Sequence, residues 1–299
     1  MTSASPKSNA TEHPAAPAHP PSPWQQAWKS FTRNKIAIIG LAIVLFFILL
    51  AIFAPWIMPY DYAKTNLIER LQAPSSSHWL GTDDFGRDIL SRIIYGARIS
   101  LWVGFSCVIG SVIVGCTLGI VAGYYGKWVD IIISRVFDIL LAFPSILLAI
   151  AIVAILGPDL QNALIAIAVI NVPNFGRLIR SKVLSVKEEE YITAAKSIGM
   201  SDYRILWRHV LPNSMTPVIV QGTLAIATAI IEVAALSFLG LGAQSPDVDW
   251  GKMLADSKQY LVQAPWTMIF PGIAIMLTVL GFNLMGDGLR DALDPNMKK

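Results

Sequence analysis

Charged residues are absent from long stretches of this chain, and these gaps mark the predicted helices. Lys35 and Asp61 enclose 25 uncharged positions, and Arg98 and Lys127 enclose 28. A helix needs about 20 apolar residues to cross the hydrocarbon core of a bilayer. The chain has six such stretches, although Glu232 interrupts the fifth. We therefore predict six transmembrane helices, at 36–57, 101–123, 137–156, 160–178, 215–239 and 267–286.

The composition agrees with a membrane protein. Hydrophobic residues make up 54% of the 299 residues and charged residues only 14%, whereas soluble domains are nearer a quarter charged. The bilayer is therefore the expected solvent. This composition excludes a disordered protein, a secreted disulfide scaffold and a nucleic-acid-binding module, and the net charge of +3 is too small to attract nucleic acid by itself. The cysteines, Cys107 and Cys116, lie nine residues apart and are interpreted as buried small side chains.

Six spans place both termini on the same side of the membrane, and the positive charges indicate which side. With the termini in the cytoplasm, the inner segments hold 16 of the 23 lysines and arginines, as the positive-inside rule requires. The outer loops are then 59–100 and 240–266, and the main inner loop is 179–213. Residues 1–23 carry six prolines and few large apolar side chains, so we predict a disordered cytoplasmic tail there. The transmembrane domain is predicted to occupy 24–299.

The sequence contains no recognisable catalytic, metal-binding or nucleotide-binding motif. The four histidines are spread over the tail, the predicted outer side and the inner loop, so they cannot gather round one metal ion. Gly126 and Lys127 lack both the upstream glycine and the Ser or Thr of a phosphate-binding loop. We therefore predict that the chain is not an enzyme and holds no cofactor. If it moves a solute uphill, the energy comes from an ion gradient or from another subunit.

The inner loop has the pattern of two short helices joined by a glycine turn. Ser185 and Glu188 are spaced as a capping box, and Gly199 suits the left-handed residue that ends a helix. Pro212 is expected to end the second helix before the fifth span begins. One face of the first helix carries Tyr191, Ala195 and Ile198 at i, i+4 and i+7. The pattern alone is equally typical of an ordinary amphipathic segment at the membrane surface.

The spacing of residues in this loop resembles a known motif. The loop contains Thr193-Ala194-Ala195-x3-Gly199-x9-His209-x-Leu211-Pro212, which is similar to the E-A-A-x3-G-x9-I-x-L-P motif of binding-protein-dependent ABC importer permeases. Thr193 replaces the glutamate and His209 the isoleucine of that motif. In the family, this loop couples the permease to a groove on the ATPase subunit. The resemblance thus implies an ATPase-coupling role for Thr193, Ala194, Ala195, Gly199, Leu211 and Pro212, with Tyr191 and Ile198 on the docking face.

Further stretches resemble the dipeptide/oligopeptide/nickel subgroup of the same family. They are 78–88, 236–244 and 283–295, with the shorter matches Ser91-Arg92, Tyr95-Gly96, 98–101 and Trp250-Gly251. The outer-loop signature consists of Gly81, Thr82, Asp83, Asp84, Gly86, Arg87 and Asp88. The match is to the second, "C"-type, of the two permeases in such systems. It implies an all-α membrane helix bundle with the type I ABC importer permease fold.

The resemblance also implies partners, a location and a function. The partners are a "B"-type permease that completes a heterodimer, two ATPase subunits that bind ATP and Mg, and an extracytoplasmic solute-binding protein. The location is the bacterial inner membrane. The predicted function is the permease subunit of a peptide-class ABC importer, with a stand-alone secondary transporter or channel as the alternative and a membrane-embedded enzyme as a third class. Dipeptides, oligopeptides, glutathione-like peptides and nickel complexes are all open as the solute.

Small and ionisable residues within the spans have two interpretations each. A stripe of small residues at four-residue intervals indicates close helix packing, within the chain or against the partner permease; it consists of Ser111, Gly115, Gly119 and Gly123. Glu232 lies inside a span, where a carboxylate is costly unless it is paired or hydrated. It either lines the pathway, where it would meet a peptide ammonium, or has a structural partner such as Asn, Ser or Arg.

Polar residues, charged residues and prolines near the ends of the spans have predicted structural roles. A structural hydrogen-bond network is predicted for Asp138, Asn171, Asn174 and Arg177. The charged residues of the outer-loop signature are expected to fold that loop through caps and ion pairs, or to contact the binding protein or the partner permease. Candidate positions for helix kinks are Pro144, Pro173 and Pro271.

Overall fold

The computed structural model describes residues 23–293 as a bundle of α-helices, with no β-strand in that range. The tail predicted at 1–23 therefore lies outside the described residues, apart from Pro23. The predicted all-α fold class is confirmed. The helices are α1 (Pro23–Arg33), α2 (Lys35–Ile57), α3 (Ile89–Tyr125), α4 (Lys127–Leu141), α5 (Ser145–Leu156), α6 (Leu160–Val186), α7 (Glu190–Ser197), α8 (Asp202–Ile205), α9 (Leu211–Phe238), α10 (Trp250–Ser257) and α11 (Trp266–Leu293).

Five helical segments in this range are long and apolar enough to cross a membrane alone: α2, α3, α6, the continuous segment from α8 through α9, and α11. The third predicted span, 137–156, is wrong as a single helix. α4 and α5 occupy this region and are bent by 93° between Leu141 and Ser145. Pro144 explains the break, because a proline lacks the helical N–H and disfavours helical geometry in the residue before it. The predicted six spans are obtained when α4 and α5 count as one broken span.

α3 and α6 are longer than the spans predicted for them. α3 begins at Ile89, twelve residues before the predicted start at 101, and its 37 residues measure about 55 Å. The outer loop predicted at 59–100 therefore includes three turns of this helix. α6 continues to Val186, eight residues beyond the predicted end at 178. Charged residues lie on the extra turns of both helices, and a search for uncharged stretches necessarily excludes them.

α3 packs more extensively against α6 than against any other described helix, and the stripe of small residues lies in this contact. The Oγ of Ser111 donates to the carbonyl oxygen of Ala168 at 2.8 Å. The facing positions are Ser111–Ala168, Gly115–Val172, Gly119–Gly176 and Gly123–Arg180, each separated by 57 residues. Because both numbers rise together, the two helices run parallel. The stripe thus contacts α6 of the same chain, which is the first of its two interpretations.

The chain runs without a break from the inner loop into α9. Pro212, predicted to end the second short helix, instead lies in the first turn of α9 and does not end the helical segment. Between α8 and α9, residues Leu206–Val210 form a π-helical turn, which accommodates one extra residue. α6 and α11 likewise continue through Pro173 and Pro271. Of the three candidate kink positions, Pro144 is the one at a helix break.

α1 is an amphipathic helix that a search for spans does not predict, because it is short and polar on one face. Ala27 and Phe31 are buried, and Phe31 packs with Ala37 of α2 and Ala292 of α11. Asn34 follows α1 and caps α2, since its side chain accepts two backbone N–H groups of the first turn. α1 therefore ties the beginning of α2 to the end of α11.

Gly119→Ala is expected to destabilise the bundle. A Cβ at this position would overlap the carbonyl oxygen of Gly176, and that atom cannot move without separating α3 from α6. We expect a loss of about 1–3 kcal/mol, measured by thermal unfolding of the purified protein. Gly110→Ala is the matched control on the same helix, because its Cβ would meet the Cβ of Ala168 at an ordinary 3.6 Å. Identical midpoints for the two variants would contradict the close packing at Gly119.

Candidate functional site

Apart from the small-residue stripe of α3 and the motif residues Leu211 and Pro212 of α9, the predicted site residues lie in three regions of the structure. The central cavity is a polar cavity between α5, α6 and α9, within the predicted membrane spans. The inner hairpin is α7, its glycine turn and α8, at 190–205. The outer cap is made of residues 58–88 and 240–265, which include α10 and surround the beginning of α3. The central cavity and the inner hairpin are joined through α9.

One face of α9 lines the central cavity, whose volume is about 260 Å³. The lining residues on this face are Gln221, Ala225, Thr228 and Glu232, which recur at helical spacing. Three of the four are polar, although they lie on a helix that is apolar enough to span the membrane. The opposite wall is formed by α6, and the bend between α4 and α5 closes one end. α9 thus presents a polar stripe to a cavity at membrane depth.

Glu232 lies half-buried on the wall of the central cavity. Its Oε2 accepts a hydrogen bond of 3.2 Å from Nδ2 of Asn171 on α6. Within residues 23–293, the Glu232 carboxylate has no other hydrogen bond or ion pair. Its second oxygen is therefore available to the cavity. The structure gives Glu232 both a structural partner, Asn171, and a position on the cavity wall.

The predicted network of four polar residues is divided into two separate groups. Asn174 donates to Oδ1 of Asn171 at 3.5 Å, which extends the chain that begins at Glu232. Arg177 instead pairs with Asp138 of α4 at 2.5 Å, and both side chains are about half exposed. No described hydrogen bond joins the two groups. The asparagines therefore belong to the central cavity, whereas Arg177 and Asp138 tie α6 to α4.

The inner hairpin consists of two short helices joined at Gly199, as the sequence predicts. Gly199 has a φ of +79°, a left-handed conformation that favours glycine. The capping box predicted for Ser185 and Glu188 is wrong, because Ser185 lies within α6 and α7 begins at Glu190. The extension of α6 beyond the predicted fourth span explains this difference.

The face predicted from Tyr191, Ala195 and Ile198 is divided between the interior and the surface. Ala195 is 6% exposed and packs, with Ile192, in the hydrophobic core of the chain. Tyr191 is 43% exposed and Ile198 is 79% exposed. Residues 193–194 are exposed as well. The surface that the inner hairpin offers to another protein therefore centres on 193–194 and Ile198 and excludes Ala195.

Polar contacts fasten the inner hairpin to the end of α3. The hydroxyl of Tyr124 donates to Oδ1 of Asp202 at 2.5 Å. Just before the hairpin, at the end of α6, Nζ of Lys187 donates to the carbonyl oxygen of Gly123 at 3.3 Å. A displacement of the hairpin would therefore pull directly on the last turn of α3, next to its close contact with α6.

The motif residues at the end of the inner loop connect the hairpin to the central cavity. Leu211 and Pro212 lie in the first turn of α9, and Glu232 follows on the same helix. The 20 residues from Pro212 to Glu232 span about 30 Å of α-helix. One helix thus extends from the hairpin to the carboxylate on the cavity wall.

Asp83 is the centre of the outer cap. Its Oδ1 accepts from the backbone N–H groups of Phe85 and Arg87, which closes a tight turn. Its Oδ2 pairs with Nε of Arg87 at 2.7 Å and with Nε of Arg92 at 3.4 Å. The Arg92 side chain is only 3% exposed, so Asp83 supplies a counter-ion that water cannot replace. Asp84 lies beside this group, and burial, followed by the charge of Asp83, raises the pKa of its carboxyl group.

The other signature residues hold the beginning of α3. Asp88 caps this helix, because its Oδ2 accepts from the N–H of Ser91 at 2.8 Å, and its Oδ1 lies 2.9 Å from Nδ1 of His78. Thr82 is fully buried and forms an antiparallel bridge with Asp88. Positive φ values are found at Gly81 (+80°) and Gly86 (+70°). These contacts fold the outer cap around the first turn of α3.

Asp249 is a buried carboxylate that the sequence analysis does not single out. It is 1% exposed, and it joins α10 to α9 by accepting from Oγ of Ser237 and from the N–H of Lys252, each at 2.6 Å. Burial raises the pKa of this carboxyl group. The neighbouring Trp250 is fully buried and donates from Nε1 to the carbonyl oxygen of Ile93 on α3 at 3.1 Å. An aspartate at the helix cap was the available signal.

Two family descriptions match the chain. Residues 115–299, more than half of the chain, match the "Binding-protein-dependent transport system inner membrane component". The chain belongs to this family. Residues 22–74 match the "N-terminal TM domain of oligopeptide transport permease C". The permease is therefore a multi-pass protein of the inner membrane and part of an ABC importer.

The permease is similar to named relatives over nearly its whole length. The dipeptide transport system permease protein DppC of Alkalihalophilus pseudofirmus is 66% identical over 277 residues, which cover 93% of this chain and 91% of the relative. The glutathione transport system permease protein GsiD of Pectobacterium atrosepticum is 49% identical, with 92% of each chain covered. The di/tripeptide transport system permease protein DppC of Pseudomonas aeruginosa is 48% identical over 93% and 94% of the two chains. The resemblance to C-type permeases is thus confirmed.

The fold is also similar to a solved ABC importer. A chain of the MetNI methionine ABC transporter, in an inward-facing conformation, superposes with a TM-score of 0.56. The alignment covers 68% of this chain and 97% of that chain at 18% sequence identity. The ABC importer permease fold predicted from the sequence motifs is therefore confirmed.

Asp83→Asn is expected to destabilise the permease by about 3–5 kcal/mol, because it removes the counter-ion of the buried Arg92. Asparagine retains an oxygen that can accept the turn hydrogen bonds, so the change isolates the charge. Thermal unfolding of the purified protein measures the loss. Asp84→Asn is the matched control one residue away, since it removes a charge that its surroundings already disfavour. If Asp83→Asn lost less stability than Asp84→Asn, the role of Asp83 as the counter-ion of Arg92 would be disproved.

Proposed function

We propose that this permease forms half of the translocation pathway of an ATP-driven importer of small peptides. A second, B-type permease forms the other half. Two ATP-binding subunits and an extracytoplasmic binding protein complete the system. The central cavity carries this proposal, because a span that presents Gln221, Thr228 and Glu232 on one face is costly against lipid. A water-filled path shared with a second permease hydrates that face.

Glu232 is the group that we assign to the solute within this pathway. A peptide carries an ammonium at its N-terminus, and a carboxylate with one oxygen available accepts a charge-assisted hydrogen bond from it. Asn171 holds the other oxygen and so orients the carboxylate. The names of the relatives, which refer to dipeptides, di/tripeptides and glutathione, support a small peptide as the solute. The binding protein then selects among such peptides.

The inner hairpin is the element that we assign to coupling. Its surface at 193–194 and Ile198 is exposed, and small side chains there allow close approach of another protein. The hairpin is fastened to α3 through Tyr124 and is continuous with α9. A movement imposed by an ATP-binding subunit therefore reaches the wall of the central cavity through α9. The excess of lysine and arginine on this side of the membrane supports a cytoplasmic hairpin and cytoplasmic termini.

A stand-alone secondary transporter or channel is the competing function. Such a protein needs its own coupling-ion sites and usually two inverted halves with broken helices. α4 and α5 form one broken span within residues 23–293, and no second bent pair is found there. Purification of the permease from its native membrane discriminates between the two functions. An importer subunit brings a second permease and ATP-binding subunits in constant proportion, whereas a stand-alone transporter does not.

Glu232→Gln is expected to raise the half-saturating concentration for peptide transport by about tenfold, because it removes one ammonium–carboxylate attraction of roughly 1.4 kcal/mol. Glutamine retains an oxygen for Asn171, so assembly is preserved. Uptake into proteoliposomes that contain the complete importer is the measurement. A peptide with a blocked N-terminus is the control, and its uptake should be equal in wild type and variant. If the variant lost as much uptake of the blocked peptide as of the free peptide, contact between Glu232 and the ammonium would be contradicted.

Ile198→Asp is expected to release the ATP-binding subunits from the permease or to abolish transport. Ile198 is 79% exposed, so the charge does not disturb the fold of the chain but lies in the proposed contact. Co-purification of the subunits and transport-linked ATP hydrolysis are measured together. Ile68→Asp is the matched control, since Ile68 is 93% exposed on the predicted outer side. Full assembly and full transport in Ile198→Asp would refute the coupling assignment.

A further inference from the structure

Two cavities meet at the end of the bundle that carries the inner hairpin, and both are lined in part by Leu293. The first, the basic cavity, has a volume of about 560 Å³ and lies between α6, α9 and α11. It contains the cations Lys182 and Arg290. The second, the apolar groove, has a volume of about 340 Å³ and lies between α1, α2, α9 and α11. Its lining includes Ala27, Phe31, Leu41, Met285 and Leu289.

Among the described residues, 23–293, the two cations of the basic cavity have no anionic partner. Neither Lys182 nor Arg290 makes an ion pair or a hydrogen bond with residues 23–293. No carboxylate is among the residues that line the basic cavity in this range. Asp287, one turn before Arg290 on α11, is not paired with it. Two unpaired cations in one concave site create a positive potential that attracts an anion.

The register of α3 and α6 gives the depth of these cations in the membrane. The constant separation of 57 residues places Lys182 level with Tyr125 at the end of α3. Tyr125 is 59% exposed and the nearby Trp128 is 76% exposed. Exposed Tyr and Trp side chains gather at the boundary between headgroups and hydrocarbon. Lys182 therefore lies at the depth of lipid phosphates.

The apolar groove extends from that level into the hydrocarbon. Along α11 it is lined by Leu293, Leu289 and Met285, which span about 12 Å of helix. The end of the groove that lies deeper in the hydrocarbon is lined by Leu41, about two turns after the beginning of α2. Trp28 of α1, which is 63% exposed, borders the groove at the surface. This apolar character suits the part of an acyl chain next to the headgroup, and the rest of the chain would extend beyond the groove into the bilayer.

We propose that the basic cavity and the apolar groove together bind one anionic phospholipid. The phosphate lies between Lys182 and Arg290, and an acyl chain occupies the groove beside α1. Basic cavities between membrane helices are suited to anionic headgroups, and here an adjoining groove accepts the hydrophobic part of the same molecule. The carboxylate of a peptide offers a similar charge but leaves the groove without an occupant. A bound lipid also holds α1, α9 and α11 together beside the hairpin.

The experiment uses the complete importer, purified and stripped of lipid in detergent. Phosphatidylglycerol, phosphatidylcholine and water-soluble glycerol phosphate are added in turn, and native mass spectrometry measures the bound ligand. We expect phosphatidylglycerol to bind at least tenfold more tightly than either of the others, because only it has both a net negative headgroup and acyl chains. Equal binding of the two lipids, or equal binding of glycerol phosphate, overturns the proposal.

Variants locate the site. Lys182→Gln combined with Arg290→Gln is expected to weaken phosphatidylglycerol binding at least tenfold and to remove its selectivity over phosphatidylcholine. The control removes two cations from the same end of the bundle, Lys127→Gln with Arg135→Gln, and should retain wild-type binding. The single variants, each with an intermediate loss, replace the double variant if it does not assemble. Unchanged lipid binding in the cation variants, with a defect in peptide transport alone, overturns the proposal and assigns the cations to the solute.

Discussion

The close parallel contact between α3 and α6 is the constraint on which the rest of the bundle depends. Small side chains at four-residue intervals allow the backbone of α3 to approach carbonyl oxygens of α6. In a bilayer, lipid tails are as apolar as leucine, so helices are held together by packing and hydrogen bonds and not by exclusion of water. The contact between α3 and α6 supplies both, since Ser111 donates a hydrogen bond to Ala168 in addition to the close packing. Phe137 of α4 packs on Gly176 of α6, next to the contact between α3 and α6.

The contact between α3 and α6, together with α9, positions the central cavity and the inner hairpin. Asn171 and Asn174 extend from α6, and Glu232 faces them from α9. The last turn of α3 carries Tyr124, which holds the inner hairpin. The hairpin and the cavity wall are therefore joined to the contact between α3 and α6 by hydrogen bonds and by continuous helix.

Polar groups in the outer cap stabilise the fold in a different way. Asp83, Arg87 and Arg92 form a buried charged cluster at the beginning of α3, and Asp249 joins α9 to α10. Such groups are costly to bury, and the carboxylates of Asp83 and Asp249 accept hydrogen bonds from specific partners. The outer cap is thus stabilised mainly by hydrogen bonds and ion pairs, whereas the spans are stabilised mainly by close helix packing.

The sequence by itself determined the fold class, the approximate position of five spans and the glycine turn of the inner hairpin, because hydrophobic length and left-handed backbone geometry are local properties. It also identified the family, since motif spacing is local as well. The tertiary structure decided that the helix breaks at Pro144 but continues through Pro173 and Pro271, how far α3 and α6 extend, and that Ala195 is buried. It also decided that Glu232 meets Asn171, and that Lys182 and Arg290 share a cavity. These features depend on which helices come together, and residues 57 or more positions apart carry no local signal of that contact.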